Sequence, residues 1–168
     1  MTIHFKISHA LVEGVRTDLH RPHVFAYERV GFLFASVANL GGGPIVIASE
    51  YRPVADEDYI ADSSVGAMMG SDAIRKALQH SYQTQTAVLH VHIHDHAGRP
   101  SFSGIDSREN AKFVPNFFNV SPQRPHGAIV LSENAMCGNI WLHREARPVP
   151  IDRFSVVGAP LWFDGDAA

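Results

Sequence analysis

A single α+β domain is the fold class this sequence predicts, and two observations carry it. Strand-length apolar runs alternate with segments whose apolar residues recur at helical spacing, with no internal repeat or low-complexity stretch between them. The chain has 168 residues, 45% of them hydrophobic, a size that closes one core without division. The domain is therefore drawn over 1–168, with its core between about residues 5 and 158.

The elements follow in order. Leu11 to Leu19 carries helical spacing, limited by Gly14 within it and Pro22 beyond it. Residues 29–38 read as a strand, which Gly41-Gly42-Gly43 turns into a second, Pro44 to Ser49, as a hairpin. Glu50 to Tyr59 holds Pro53 and several acids and reads as a loop or irregular strand. Ser71-Asp72 can cap a helix running on from Ala73, and the histidine-rich stretch from Leu89 follows as a strand. Ser107 to Phe113 makes a second helix that Pro115 stops. Strands at Gly127 to Leu131, Asn139 to Leu142 and Arg153 to Val157 complete the sheet, with Met136-Cys137-Gly138 at the hairpin between the first two. The tail from Asp164 to Ala168 is expected to fray.

Four histidines alternate through Leu89-His90-Val91-His92-Ile93-His94-Asp95-His96. In a regular strand, period two would crowd all four imidazoles on one face. Imidazole nitrogen suits Zn²⁺, whose catalytic sites commonly keep three protein ligands and leave a position for water, and Asp106 is the nearby carboxylate that completes three. His90 sits deeper on the strand, where a neutral ring donating to a backbone carbonyl is expected. His4, His9, His20, His23, His80, His126 and His143 share no ligand spacing and are assigned to surface or core.

His-x-His followed by a short loop and Ser103-Gly104-Ile105-Asp106 resembles the zinc signature of the JAB/MPN (JAMM) metalloproteases. Eight residues separate His94 from Ser103 and six separate His96 from it, and the family's usual interval lies between. Two ligand pairs therefore stand: His92 with His94, preferred because loops absorb insertions more easily than strand ends, or His94 with His96. His94 is a ligand in both. Tyr27-Glu28-Arg29-Val30-Gly31-Phe32-Leu33-Phe34-Ala35 resembles the family's glutamate segment, with Gly31 at the first glycine and Ala35 in place of the second. The resemblance implies a mixed β-sheet flanked by helices, of the cytidine-deaminase-like kind, with Glu28 on an early strand as general base and Ser103 stabilising an oxyanion. Read alone, Glu28 is a solvated charge and Ser-x-x-Asp an ordinary helix start with a polar cap, a reading compatible with catalysis. His96, if not a ligand, would line the cleft.

Composition excludes several function classes. Lys and Arg number 14 against 17 Asp and Glu, a formal charge of −3, which provides no basic field for nucleic acid and no polybasic membrane anchor. The first residues lack a signal peptide's apolar stretch and no run approaches a membrane span, so a cytoplasmic protein is expected. Cys137 is the only cysteine and reads as a small core residue rather than a nucleophile.

The resemblance implies a zinc hydrolase that cuts an amide bond after the C-terminal tail of a ubiquitin-like or sulfur-carrier protein, in some relatives alongside an adenylyltransferase. An extended, glycine-ended tail would pass the metal, with Phe102 as a wall; Phe113, Phe117 and Phe118 read first as core. The alternatives are a binding module of the same fold without catalysis, and a cupin-like metal protein with its histidines on one strand.

Overall fold

Eight strands form one mixed sheet, in the order β7-β6-β5-β4-β2-β3-β1-β8, accompanied by three α-helices in a computed structural model that describes residues 1–24, 26–62 and 66–158. The frayed tail expected at 164–168 lies outside the described residues. The chain begins with a strand absent from the sequence reading, β1 (His4–Ser8), although Phe5 and Ile7 alternate inward with period two. Helix α1 (His9–Leu19) follows directly, its first turn capped by the Ser8 hydroxyl, which accepts from the Leu11 amide at 3.2 Å.

The expected hairpin is present but longer on its second arm. Strand β2 (Val30–Leu40) pairs antiparallel with β3 (Gly43–Pro53), which takes in the first part of the segment read as a loop or irregular strand. A bulge explains the difficulty. Phe34 faces Glu50 and Ala35 faces Ala48, leaving Ser49 as the extra residue, and its hydroxyl donates to the Phe34 carbonyl at 3.3 Å. Helix α2 (Ser71–Thr84) starts one residue earlier than its expected cap would allow: Gly70 is the N-cap, with no side-chain bond, and its amide donates to the Asp58 carbonyl.

Strand β4 (Ala87–Ile93) is buried along its whole length, between β2 antiparallel and β5 (His126–Leu131) parallel. Central strands buried on both faces carry continuous apolar runs. Here two histidines interrupt that run on one face only. One apolar cluster, with Val12, Val15, Leu89, Val91 and Ile129, packs α1 against one face of the sheet. The other, with Phe32, Phe34, Val88, Phe113 and Phe117, packs α2 and α3 (Gly104–Phe113) on the opposite face. Each such side chain contributes about 1.5–3 kcal/mol by burial. Phe113, Phe117 and Phe118 belong to this second core, so they are not walls of a substrate groove.

A 3-10 helix, Val114–Asn119, continues from α3 where Pro115 ends α-helical bonding. Strand β6 (Met136–Trp141) includes Met136, Cys137 and Gly138, which the sequence had suggested for the turn. Cys137 is half-buried opposite Val130, and burial pushes its thiol pKa up, which disfavours a thiolate nucleophile. The short β7 (Val149–Pro150) closes one edge, and β8 (Arg153–Val157) lies parallel to β1 at the other. Among the described residues no helix is long and apolar enough to cross a membrane.

Candidate metal centre

The site lies at the C-terminal end of the parallel pair β4 and β5, the end of an open sheet where ligands are usually bound. The strand stops at Ile93, so the regular face of four imidazoles does not form. The His94 amide still donates to the Leu131 carbonyl at 2.9 Å, but the His96 amide turns back onto the His94 carbonyl, also at 2.9 Å. The loop is then tied to the turn after β5: Glu133 N–H reaches the His96 carbonyl, Asn134 Oδ1 accepts from Gly98 N–H, and the Ser132 hydroxyl donates to the Gly98 carbonyl. Gly98 has φ +90°, a conformation that requires glycine at this turn.

This turn separates the candidate ligand histidines. His92, buried on the strand, and His94, half-buried beyond it, bring their Nε2 atoms to 3.2 Å from each other. His96 is exposed, its Nδ1 donating to the Ala97 carbonyl at 2.9 Å. The geometry thus assembles His92 with His94 rather than His94 with His96.

Asp106 arrives from α3. Ser103 is the N-cap, accepting from the Asp106 amide at 3.1 Å, while Asp106 Oδ2 accepts from the Ser103 amide at 2.7 Å. This reciprocal capping box leaves the carboxylate aimed at β4. Oδ2 is 3.6 Å from His92 Nε2 and 3.8 Å from His94 Nε2. The His92 imidazole beside it, helped by the Ser103 donors, holds the Asp106 carboxyl well below the usual carboxylate range. Burial, then the neighbouring His92, lowers the His94 pKa, so that ring stays neutral as ligation requires.

These three atoms form a triangle with edges of 3.2, 3.6 and 3.8 Å. Ligand atoms around a tetrahedral metal with bonds of about 2.0–2.1 Å stand about 3.3 Å apart, so the triangle is close to ligating size. Two neutral imidazole nitrogens and a carboxylate oxygen this near repel unless a proton or cation lies among them. A proton on His92 Nε2 meets that need as a hydrogen bond, and a bound cation would meet it as well.

Glu28 joins from the other side. One of its carboxylate oxygens lies within 4.8 Å of a ring nitrogen of both His92 and His94, and these three residues together can hold a metal ion. The glutamate is not on a strand, as the resemblance implied, but in a bend two residues before β2. Contacts on both sides fix it there. Tyr27 and Glu28 amides both donate to the Gly66 carbonyl, at 2.9 and 3.0 Å. The next residue, Arg29, is buried and anchored to the Arg21 and Pro22 carbonyls and to Asp56. Val30 is then held by the Tyr59 hydroxyl, which accepts its N–H and donates to its carbonyl.

Gly66 has a further part that sequence reading missed. A side chain there would strike the Glu28 carboxylate, so the glycine makes the space in which the carboxylate sits. Gly31, where the family segment has glycine, lies against the Tyr51 ring, whose hydroxyl donates to Asp18. Phe102 is half-buried with its ring 6.1 Å from that of His92.

His90 also departs from expectation. Among the described residues neither ring nitrogen meets a backbone carbonyl; the Asn110 side chain is the hydrogen-bonding group beside the ring, and burial pushes the His90 pKa down to about 3. His80 and His126 are buried and bonded, the first to Glu50, the second between the Val88 amide and the Ser121 carbonyl.

No family model matches the chain, and no curated protein does. Among solved structures it is similar to the N-terminal domain of STIL from Trichoplax adhaerens, at TM-score 0.39 and 12% identity. That match covers 80% of this chain and 40% of the other, and at this level it carries nothing about the site.

Proposed function

We propose that this chain is a zinc-dependent hydrolase of JAB/MPN type that cuts the amide bond following the tail of a ubiquitin-like or sulfur-carrier protein. The observation that carries the reading is the triangle of His92 Nε2, His94 Nε2 and Asp106 Oδ2 with the Glu28 carboxylate beside it. Two imidazoles and one carboxylate are a zinc donor set of catalytic rather than structural kind, since they leave a coordination position free. Bound there, zinc would supply Lewis-acid polarisation of the scissile carbonyl and a more acidic attacking water.

The chain's own groups divide the remaining work. Glu28 takes the proton of the attacking water on a carboxylate oxygen and returns it to the departing amine nitrogen. The Ser103 hydroxyl, whose oxygen accepts from the Asp106 amide, keeps its own hydrogen available for the oxygen on which charge develops. His94 and Asp106 are held by backbone bonds, which fixes their positions before substrate arrives. Exposed Tyr27 beside Glu28 and half-exposed Ile105 beside Asp106 offer apolar contacts to an extended tail. An adenylyltransferase partner, which would activate the same tail, belongs to this reading.

The test joins metal analysis to cleavage. Purified protein should carry about one zinc per chain and lose it to chelators. It should cleave fusions that follow a ubiquitin-like protein from the same genome, but not unstructured peptides, with products read by mass spectrometry. Glu28→Gln should keep zinc and fold while losing about 10²–10⁴-fold in turnover, and Ser103→Ala should lose less. Cleavage of both substrate sets would make it a general metallopeptidase, and no cleavage by zinc-loaded protein would make it a binding module.

A further inference from the structure

His90 stands two residues before His92 on β4, buried, with both ring nitrogens sealed from solvent and, among the described residues, no backbone partner for either. Its cage is aromatic: the Phe113 ring meets it edge-on at 5.1 Å and the Phe32 ring lies at 5.9 Å. A polar group buried without its full set of bonds is destabilising, and a phenylalanine would suit this cage better. Asn110, buried on α3, is beside the ring and close enough to act on its charge.

A second observation concerns His92. Its Nε2 points at His94 and Asp106, so when that nitrogen gives its lone pair to a metal the ring proton is on Nδ1. Nδ1 is buried, and among the described residues no group accepts from it. A ligating histidine almost always donates its second N–H to an acceptor that holds the ring. The neighbouring ring with a nitrogen to spare is His90, its centroid 5.7 Å away and its plane tilted by 32°.

We propose that His90 is a positioning residue for the metal centre: a single buried water accepts the His92 Nδ1–H and donates to one His90 nitrogen, and the other His90 N–H is offered to Asn110. His92 Nδ1 and one His90 nitrogen give such a water two polar partners, enough to hold it in an otherwise apolar cage. The chain of bonds links β4, which carries His92, to α3, which carries Asp106, so two ligand-bearing elements are locked in one arrangement. The proposal rests on the metal reading of His92, His94 and Asp106.

The experiment measures zinc Kd by chelator competition and the visible spectrum of the Co²⁺ form, for the full chain and for His90→Phe and His90→Gln. His90→Phe, which fills the cage without hydrogen bonds, should match or exceed the wild-type Tm, weaken zinc about 10–100-fold and shift the Co²⁺ bands. His90→Gln, which can both accept and donate, should restore most of the affinity. Equal zinc affinity and an unchanged Co²⁺ spectrum in His90→Phe would overturn the proposal. Equal weakening by both variants would overturn it too, because His90 would then supply shape alone. Should His90→Phe not fold, His90→Leu against His90→Gln reads the same contrast. A wild-type protein that binds no zinc overturns the metal site and this linkage together, whereas zinc held normally by His90→Phe overturns the linkage alone.

Discussion

Replacing Gly66 by alanine should separate the position of Glu28 from its chemistry. A Cβ at residue 66 would stand 2.8 Å from Glu28 Cδ and Oε2 and 3.1 Å from Oε1, where ordinary contact begins at 3.4 Å. The carboxylate must therefore retreat by about 0.6 Å. The backbone cannot retreat with it, because the Tyr27 and Glu28 amides are both bonded to the Gly66 carbonyl. The side chain swings instead, which is inexpensive for the fold. Gly66 is not in the left-handed region, so alanine adds no backbone strain and removes some freedom from the unfolded chain. The stability change should stay within about 1 kcal/mol, or about 2–4 °C in Tm for a chain of this size. Catalysis tolerates much less: a group must be held within about 0.5 Å of its productive place, and a 1 Å error costs about 10²-fold. Turnover of the tail fusion should fall about 10–100-fold with zinc content unchanged. The assay is steady-state kcat beside metal analysis and a melting curve. Wild-type turnover would refute the claim that Glu28 works from this position, and loss of zinc along with activity would make Glu28 a ligand rather than a base.

Two further outcomes follow from other parts of the fold. His92→Ala and His94→Ala should each weaken zinc by more than the about 10–100-fold typical of a supporting residue, whereas His96→Ala should keep it, and retention of metal by the His94 variant would remove the site. His126 predicts a pH dependence of stability. Its Nδ1 accepts the Val88 amide, and burial pushes its pKa from 6.5 down to about 4. The unfolded chain therefore takes up this proton first. The stability it confers is full above pH 6.5 and is lost as pH falls toward about 4, by about 3 kcal/mol at most. Urea unfolding at pH 7.5 and 4.5 should show a smaller difference in His126→Gln than in the wild type, and equal differences would refute the assignment.

What was legible in the sequence is local in origin. The capping box of Ser103 and Asp106 spans three residues and needs no partner outside its own turn, so a polar helix cap at Ser-x-x-Asp could be read from spacing, although helical spacing starts the helix at Ser107 and α3 begins at Gly104. The alternation from Leu89 announced a strand for the same reason, although it extended the face to four histidines where β4 carries two, and the glycines at 41–43 announced the hairpin. Glu28 was singled out by a segment, not by any contact.

Tertiary structure decided what depends on distant partners. Strand β4 ends at Ile93 because the chain beyond it is tied to the turn after β5, and that tie, rather than the histidine spacing, separates His94 from His96. Glu28 reaches the histidines only because Gly66 and buried Arg29 fix a bend between elements far apart in sequence, and neither has a pattern of its own. The parallel pairing of β1 with β8 joins the two ends of the described fold, residues 4–8 with 153–157, which no local period encodes. The physical reason is common to all three: periodicity and capping report forces between neighbours along the chain, whereas a metal site is assembled by backbone bonds and packing whose partners are known only once the sheet order is set.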